Sequence, residues 1–552
     1  MNTRRFIAFA CIMASGVFFV FLQSCKKSEN PPQPLYLTLN LPKSELHNEL
    51  YYSIGFQERS VEIDFSQPVD TSTIRGNISF SDKDGVLDSM YKTISSGKKI
   101  IMAFKPEFQL SAGWRYGISF KPGLKSTSGL TLSAETRVEL RSTSKLLGNE
   151  QDTTGRNTII CISDIHMGDQ RAAAFGYCWF SKNEAALESL LDVALTCPQV
   201  RQLVILGDLF DEWVVPYRIS PLDSQAGIYT SRDYFLAIAN APTNLNIISK
   251  LKVLASGGAV SLVYVPGNHD MLLTREILQE IIPGVIWQGD STGLGHYSPL
   301  SEIIMEHGHR YDFFNCPQPL SNPGHILPPG YFISRLDAEG LMEHGKSRLK
   351  ELRSGNGPLE FLTAWTAAYE YLKIHYNLTV AADSLNIRMG NIGQYAGPLS
   401  FNGVRDMFAV NIEDLWTSTE TRNAVPVPMP VVMAILDGSL DLSFTASYEY
   451  MQTLAPRQYK IVAFGHTHNP MLSVYPPGKT YTGIYANTGS WVNADLCSKP
   501  VRTFLVIKPG VWTGSELDVV TLYQYNLDSG SGNPDPGFVP VRISEETIDR
   551  GN

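Results

Sequence analysis

Short polar motifs of this chain combine aspartate, asparagine and histidine at spacings that suit metal binding. In chain order they are Ser163-Asp164-Ile165-His166, Gly207-Asp208-Leu209-Phe210-Asp211-Glu212-Trp213, Pro266-Gly267-Asn268-His269-Asp270, Glu306-His307-Gly308-His309 and Gly465-His466-Thr467-His468. In an extended chain, residues i and i+2 point to the same face, so we expect Asp164 with His166, and His466 with His468, each to aim two donors at one point. The mixed nitrogen and oxygen donors, without thiolate, admit manganese, iron or zinc. The motifs therefore predict a site for two metal ions.

Each motif directly follows a short apolar run that is typical of a buried strand. The predicted strands are Thr158 to Ile162, Gln202 to Leu206, Ser261 to Val265, Glu302 to Met305 and Lys460 to Phe464. Since ligands in open α/β sheets bind beyond the carboxyl ends of the strands, the motifs are expected to converge there. The glycines within them are expected to let the ligands approach without obstruction.

Helical stripes lie between the predicted strands. Ser181 and Glu184 predict a capping box at the start of one helix, whose core face would be Leu187, Leu190, Leu191 and Ala194. A second stripe is formed by Ile247, Ile248, Leu251 and Leu254 and is ended by Gly257. Strands that alternate with helices predict an α/β layered domain from Thr158 onward.

The order of these motifs resembles that of the calcineurin-like metallophosphoesterases, from Thr158 to about Ile507 with a long interruption. The resemblance implies a four-layer β-sandwich flanked by helices. It also implies a metal-dependent phosphoric ester hydrolase in which metal-bound hydroxide attacks phosphorus. The ligands that it implies are Asp164, His166 and His468 for one divalent ion, Asn268, His307 and His466 for the other, and Asp208 as a bridge.

The same resemblance implies catalytic roles for two further residues. His269 would stabilise or protonate the leaving oxygen, and Asp211 would accept a hydrogen bond from the His269 ring and fix its orientation. Gly207 to Trp213 and Asn487 to Trp491 are similar to the branch that includes UDP-2,3-diacylglucosamine hydrolases. This chain has His269 where that branch typically carries arginine.

A long segment between His309 and Lys460 is predicted to fold as a mostly helical insertion, about residues 315–455. Its apolar faces would be Phe361, Leu362, Trp365, Ala368, Tyr369 and Leu372 in one helix and Leu440, Phe444, Tyr448 and Met451 in another, both read as core. Because the insertion leaves the fold beside the metals, it is expected to cap them. The candidate substrate contacts are His309, Arg310, Tyr311, Asp312 and Asn315.

Residues 35–145 have the alternating pattern of apolar and polar residues that is typical of an all-β domain. Val61, Ile63 and Phe65 alternate with polar residues, and Tyr116, Ile118 and Phe120 repeat the pattern. Short strands separated by Gly, Asp and Pro turns resemble a bacterial Ig-like domain, for which we expect a spacer or docking role. A polar linker would then lead to the domain at 158–525, and residues 526–552 are predicted to be a tail.

The N-terminus has the features of a lipoprotein signal peptide, residues 1–24. Arg4 and Arg5 precede an apolar stretch from Phe6 to Leu22, which is short for a membrane span, and Leu22 to Cys25 resembles a lipoprotein box. Cys25 is the predicted lipidation site, and residues 25–34 would be a tether. We therefore expect a protein of the cell envelope that is lipid-anchored in the periplasm or at the outer membrane surface.

Charge and cysteine content exclude some classes. The net charge of −9 argues against a nucleic-acid partner, because phosphate neutralisation requires a basic face. The scattered cysteines predict no disulfide framework, and Cys161 is expected to be buried. The expected partner is a phosphorylated small-molecule or lipid-linked substrate. A phosphodiesterase or pyrophosphatase on a nucleotide- or lipid-linked substrate, and a non-catalytic surface binding lipoprotein, remain open as alternatives.

Overall fold

The computed structural model describes residues 34–344, 369, 373 and 381–549, apart from gaps inside these ranges. The gaps are 42, 47–48, 55–57, 83, 111–114, 143–154, 198, 409–411, 426–428, 435–440, 454–458, 476–482 and 528–537. The predicted signal peptide, Cys25, most of the linker, Leu440 and the helical face at 361–372 except Tyr369 lie outside the described residues. Among the described residues, no helix has both the length and the apolar character needed to cross a membrane.

The N-terminal domain consists of two packed β-sheets. Its strands are β1 Leu37–Leu39, β2 Lys43–Leu46, β3 Glu49–Ile54, β4 Ser60–Phe65, β5 Ile78–Asp82, β6 Gly85–Val86, β7 Tyr91–Ser96, β8 Lys99–Phe104, β9 Arg115–Phe120 and β10 Thr136–Ser142. The sheet orders are β1-β4-β8-β7 and β2-β3-β10-β9-β5-β6. In β4 the side chains of Val61, Ile63 and Phe65 are buried and the alternating residues are half-buried, so the predicted alternation is confirmed.

The second domain contains both strands and helices. Its strands are β11 Thr158–Ile162, β12 Val200–Leu206, β13 Ser261–Val265, β14 Ile286–Trp287, β15 Tyr297–Leu300, β16 Ile303–Met305, β17 Asn386–Ile387, β18 Leu399–Ser400, β19 Ile461–Phe464, β20 Met471–Tyr475, β21 Gly483–Asn487, β22 Thr503–Lys508, β23 Leu517–Leu527 and β24 Phe538–Asp549. Its helices are α1 Gln170–Phe175, α2 Glu184–Thr196, α3 Ser231–Ala239, α4 Leu245–Ser256, α5 Arg275–Ile281, α6 Pro329–His344, α7 Phe401–Phe408, α8 Ile412–Arg422, α9 Ser443–Ala446 and α10 Gly510–Thr513.

Two sheets form the centre of this domain. The first has the order β14-β13-β12-β11-β22-β23-β24, and the second has the order β15-β16-β19-β21-β20. The pairs β11/β12, β12/β13 and β13/β14 are parallel, as are β16/β19 and β19/β21. The carboxyl ends of the strands that precede the polar motifs therefore lie at one edge of each sheet.

Alternate residues of each central strand pack in different layers. Ile159 and Cys161 of β11 lie in the core between the sheets, whereas Ile160 and Ile162 pack with the helices on the outer face. On the far side, Ile304 and Val462 pack against the α9 segment. The three cores lie between successive layers, which are helices, the first sheet, the second sheet and helices again. The four-layer architecture and the burial of Cys161 are therefore confirmed.

Two helical stripes are confirmed, but the predicted capping box is wrong. Leu187, Leu190, Leu191 and Ala194 of α2 are buried, as are the four stripe residues of α4. The α2 helix begins after Asn183, which makes no side-chain cap. Its Nδ2 donates instead to the carbonyl oxygens of Trp491 and Val492, so a long-range contact fixes the start of α2.

The predicted tail is partly wrong. Residues 538–549 form β24, which pairs antiparallel with β23 from Leu527↔Phe538 to Leu517↔Asp549 and closes one edge of the first sheet. Pro540 is tolerated because an edge strand needs partners on one side only. The side chain of Asp549 also pairs with Arg115 of β9 in the N-terminal domain.

The described part of the insertion is mostly helical, in α6 to α9, with the short pair β17/β18. The second predicted face is wrong in one respect, since Phe444 is 47% exposed while Leu442, Tyr450 and Met451 are buried. The reason is local, because α9 continues into a π-helix at Ser447–Thr453 and the wider turn changes which side chains face the sheet.

Candidate metal centre

The polar motifs meet at the carboxyl ends of β11, β12, β13, β16 and β19. All the predicted metal ligands come together in this place, although some are separated by more than 300 positions in the sequence. Three overlapping sets of His and Asp atoms lie close enough to hold a metal ion, and they contain Asp164, His166 and His468, then His166, Asp208 and His269, then Asp164, Asp208 and His307.

One half of the centre is formed by Asp164, His166 and His468. His468 Nε2 lies 3.2 Å from Asp164 Oδ1 and 3.1 Å from His166 Nε2. His166 Nε2 is 3.8 Å from Asp164 Oδ1 and 3.7 Å from Asp208 Oδ2. The two ring nitrogens and the carboxylate oxygen thus face a common point.

The other half is formed by Asn268, His307 and His466. Asn268 Oδ1 lies 3.0 Å from His307 Nε2 and 3.0 Å from His466 Nδ1. His307 Nε2 is also 3.2 Å from Asp208 Oδ2. Asp208 Oδ2 is therefore near a ring nitrogen of each half, which is the position that a bridging carboxylate requires.

The backbone of these motifs is not extended, which corrects the geometry expected from the sequence. Asp164, His166, Asp208, His466 and His468 have φ angles of 53°, 58°, 54°, 71° and 56°, in the left-handed region. Left-handed residues other than glycine are strained, and such strain concentrates at functional sites. His466 and His468 belong to different halves of the centre instead of aiming at one point, whereas Asp164 and His166 share one half.

Glycines next to the ligands permit close packing, as expected. A Cβ atom on Gly267 would lie 2.1 Å from Asp208 Oδ1, and one on Gly207 would lie 2.5 Å from His307 Nδ1. A methyl group at either place would displace a predicted ligand.

Opposite charges shift the pKa values within the cluster. Burial disfavours the charged form of His166, but hydrogen bonds and charges from Asp164 and Asp211 outweigh it and raise its pKa to about 10. Burial is likewise outweighed at His307, chiefly by Asp208, and its pKa rises to about 9. Burial would raise the pKa of Asp208, yet His307 and the other histidines hold it far below its usual range. A buried carboxylate that stays ionised, as Asp208 does, favours a positive charge beside it.

His269 and Asp211 form the predicted pair beside this cluster. His269 Nδ1 and Asp211 Oδ1 are 2.9 Å apart, and the ring of His269 stacks on buried Trp213 with centroids 4.6 Å apart. Asp211 Oδ2 also lies 2.9 Å from His166 Nδ1. One carboxylate therefore orients both His269 and a predicted metal ligand, a double role that the sequence did not indicate.

Asp312 and Asn315 lie against the second half of the centre. Asp312 Oδ2 is 3.0 Å from His466 Nε2, the ring nitrogen opposite the one facing Asn268. Asn315 donates to Asp312, and its Oδ1 lies 3.4 Å from Asn268 Nδ2. A carboxylate behind a ligating histidine fixes its ring orientation and tautomer.

The other candidate substrate contacts have protein partners or are enclosed. Arg310 pairs with Glu306 at 2.8 Å and donates to the Ala424 carbonyl at 3.0 Å. Tyr311 shares a hydrogen bond of 2.6 Å with Tyr450. His309 is 2% exposed, and neither ring nitrogen has a hydrogen-bond partner among the described residues. Burial, with His307 and His466 nearby, lowers the pKa of His309 well below its usual range. A substrate role for these residues stays a prediction.

Two contributors were missed in the sequence. Asp270 is buried and accepts hydrogen bonds from the backbone nitrogens of Gly267 and Leu209, so it ties the β13 loop to the β12 loop. Burial, followed by the charge of Asp208, raises its pKa to about 6. Trp179 packs near three site histidines, and only the fold brings it there.

The residues present fit divalent metal ions. Asp164 Oδ1 is buried and accepts no hydrogen bond within the described part of the chain, yet histidine nitrogens surround it. The imidazole nitrogens of His166 and His468 face each other at 3.1 Å, a contact that a shared cation satisfies better than a single proton. The donor set of imidazole, carboxylate and amide oxygen suits first-row metals.

Comparison with known proteins gives two family matches. Residues 158–470 match the family described as calcineurin-like phosphoesterase, and residues 53–143 match the bacterial Ig-like domain. No curated protein matches the chain.

Solved structures resemble only small parts of the chain. Domains 1–6 of the surface layer protein SbsC are 18% identical over 21% of this chain and 16% of that chain, with a TM-score of 0.14. CopC from Methylosinus trichosporium OB3b is 14% identical over 20% of this chain and 96% of that chain, with a TM-score of 0.16. This chain thus spans less than a fifth of the SbsC chain, and likenesses at these scores carry no functional argument.

Proposed function

The chain belongs to the calcineurin-like phosphoesterase family, whose members are metal-dependent phosphoric ester hydrolases, and from this premise we propose that it is an exported hydrolase that cleaves a phosphate ester with two divalent ions. The observation that carries the proposal is the meeting of the predicted ligands around Asp208. Asp208 Oδ2 lies 3.2 Å from His307 Nε2 and 3.7 Å from His166 Nε2. One carboxylate oxygen between two imidazoles suits a pair of cations.

The proposed ligands divide into two sets. Asp164, His166 and His468 hold one ion, Asn268, His307 and His466 hold the other, and Asp208 bridges them. When bound, manganese, iron or zinc ions supply an activated water and balance negative charge on the transferring phosphoryl group. The protein's own share is to hold these side chains in place before the substrate arrives.

His269 is the proposed proton donor to the leaving oxygen. Its Nδ1 donates to Asp211, which leaves Nε2 as the nitrogen available to a substrate. The His269 side chain keeps 10% exposure, whereas that of His166 keeps none. His269 is therefore accessible where His166 is enclosed, which suits a group that contacts a substrate.

Paired ester assays on the full-length protein purified in detergent test this proposal. We expect manganese-dependent hydrolysis of p-nitrophenyl phosphate, or of bis-p-nitrophenyl phosphate if the protein is a phosphodiesterase. Activity should be lost with chelator and in Asp208→Asn, because both remove the metal pair. Silence towards both esters and towards a UDP-sugar, with metal bound, would refute the hydrolase and favour a surface binding protein.

A pyrophosphate bond is the alternative target. The motifs at 207–213 and 487–491 are similar to those of UDP-2,3-diacylglucosamine hydrolases, which supports a nucleotide- or lipid-linked substrate. Hydrolysis of a UDP-sugar but of neither nitrophenyl ester would assign the protein to that class.

Export and lipid anchoring at Cys25 belong to the same proposal. A bacterial Ig-like domain at 53–143 suits a surface or extracellular protein, and the segment before Cys25 has the composition of a signal peptide. Labelled palmitate should be incorporated by the wild-type chain and not by Cys25→Ala. Labelling that persists in Cys25→Ala would contradict the anchor.

A further inference from the structure

One partly exposed aromatic side chain lies beside the proposed proton donor. The Trp179 ring centre is 5.1 Å from that of His166, 6.1 Å from that of His269 and 6.1 Å from that of His468. Trp179 lies between α1 and α2, and its carbonyl accepts a 2.6 Å hydrogen bond from the backbone nitrogen of Asn493. It is thus held against the centre from outside the metal-binding motifs.

Trp179 differs from the other tryptophan beside His269. Trp213 stacks on the His269 ring and is 0% exposed, so the protein already covers it. Trp179 is only partly buried, and its ring is inclined by 49° to that of His269. Trp179 therefore keeps some surface for contact with a bound molecule, whereas Trp213 keeps none.

We infer that Trp179 is a specificity-determining residue that stacks against a flat aromatic ring on the leaving group. This inference rests on the proposed function, because it places the leaving oxygen at the accessible nitrogen of His269. A ring attached close to that oxygen would lie within the 4.5 to 7 Å centroid range over which aromatic pairs attract. A puckered aliphatic ring cannot match the flat face of an indole equally well.

A matched pair of substrates isolates the effect of a flat aromatic ring on kcat/KM. Benzyl and cyclohexylmethyl phosphate have similar size, equal charge and primary alcohol leaving groups, but only the former is flat. We expect wild-type kcat/KM to favour the benzyl ester by about tenfold, as stacking on aromatic side chains allows. If the protein hydrolyses diesters, the corresponding methyl diesters form the matched pair.

Two variants separate the flat face of the Trp179 indole from its apolar character and its N–H group. Trp179→Leu keeps an apolar side chain without a flat face, and the benzyl preference should disappear, mainly through a higher KM. Trp179→Phe keeps a flat ring and removes the indole N–H, which has no partner among the described residues, and most of the preference should remain. Phe175→Leu, which changes a 54% exposed aromatic residue of α1, is the control and should behave as wild type.

Bound manganese is measured in every variant, because Trp179 contacts two predicted ligands. Equal loss towards both esters in Trp179→Leu would show a purely structural role and would overturn this inference alone. Loss of the benzyl preference in Trp179→Phe would also overturn it, because the ring would then be insufficient. Failure of the metal-loaded wild-type protein to hydrolyse any ester would overturn the proposed function and this inference together.

Discussion

Replacement of Asp211 by asparagine is expected to weaken one metal site through a change of histidine tautomer. Asp211 Oδ1 lies 2.9 Å from His269 Nδ1 and accepts the backbone N–H groups of Trp213 and Val214 at 3.0 Å each, while Oδ2 lies 2.9 Å from His166 Nδ1. In Asp211→Asn the amide oxygen should occupy the Oδ1 position, because an NH₂ group there would face three donors. The NH₂ group then faces His166 Nδ1.

That contact moves the proton of His166. Nδ1 must become an acceptor, so the proton goes to Nε2, the nitrogen that lies 3.1 Å from His468 Nε2 in the metal centre. A protonated ring nitrogen cannot bind a metal. Loss of the carboxylate that holds a metal-ligating histidine costs about 10- to 100-fold in metal affinity, which corresponds to about 1.4 to 2.7 kcal/mol.

Manganese titration measures the loss of metal affinity, and kcat at saturating manganese measures the loss of turnover. Asp211→Asn should bind one of two ions about 10- to 100-fold more weakly. His269→Ala should keep both ions and lower kcat by about 10²- to 10⁴-fold, the usual share of a general acid. The control is Asp169→Asn at a buried aspartate that caps α1, where asparagine caps equally well. Wild-type affinity in Asp211→Asn, or loss of both ions in His269→Ala, would refute the reasoning.

Further predictions concern the support of the centre and of the sheet. Asp312→Ala removes the partner of His466 Nε2 and should lower bound manganese from two ions towards one per chain at limiting metal, and an unchanged ratio would contradict this. Gly267→Ala should cost about 1 to 3 kcal/mol of stability and weaken metal binding. The control is Gly397→Ala, where an added Cβ meets nothing within 4 Å and stability should not change. Equal melting temperatures of the two variants would count against the argument. Truncation after Leu527 removes β24 and should lower the melting temperature by about 10 °C or more, so an unchanged midpoint would show that β24 is dispensable.

Much of the site was predictable because its signals are local. Each ligand follows an apolar run directly, and the predicted run Ser261 to Val265 coincides with β13. Parallel pairing places the strand ends at one edge of each sheet, and packing of the two sheets then brings the motifs together. The pairing of His269 with Asp211 was likewise implied by the family resemblance.

Several features depended on contacts that no local pattern encodes. The left-handed backbone at Asp164 and His466 is imposed where loops from both sheets meet, and it replaces the extended geometry expected from the sequence. Phe444 is exposed because a π-helical turn shifts the face of its segment. Asp312 lies 3.0 Å from His466, a contact that the sequence did not indicate.

The sequence by itself determined the strands that precede the motifs, the helical stripes that cover them and the identities of the donors, because apolar periodicity and motif order are properties of the chain alone. Only the tertiary structure decided that several ligands have a left-handed backbone, that Asp211 serves two histidines, and that Trp179 stands beside His269. The physical reason is that these relations arise when loops from different strands, and in part from both sheets, pack against each other. Side chains more than 300 positions apart then become neighbours, and a one-dimensional pattern holds no record of that contact.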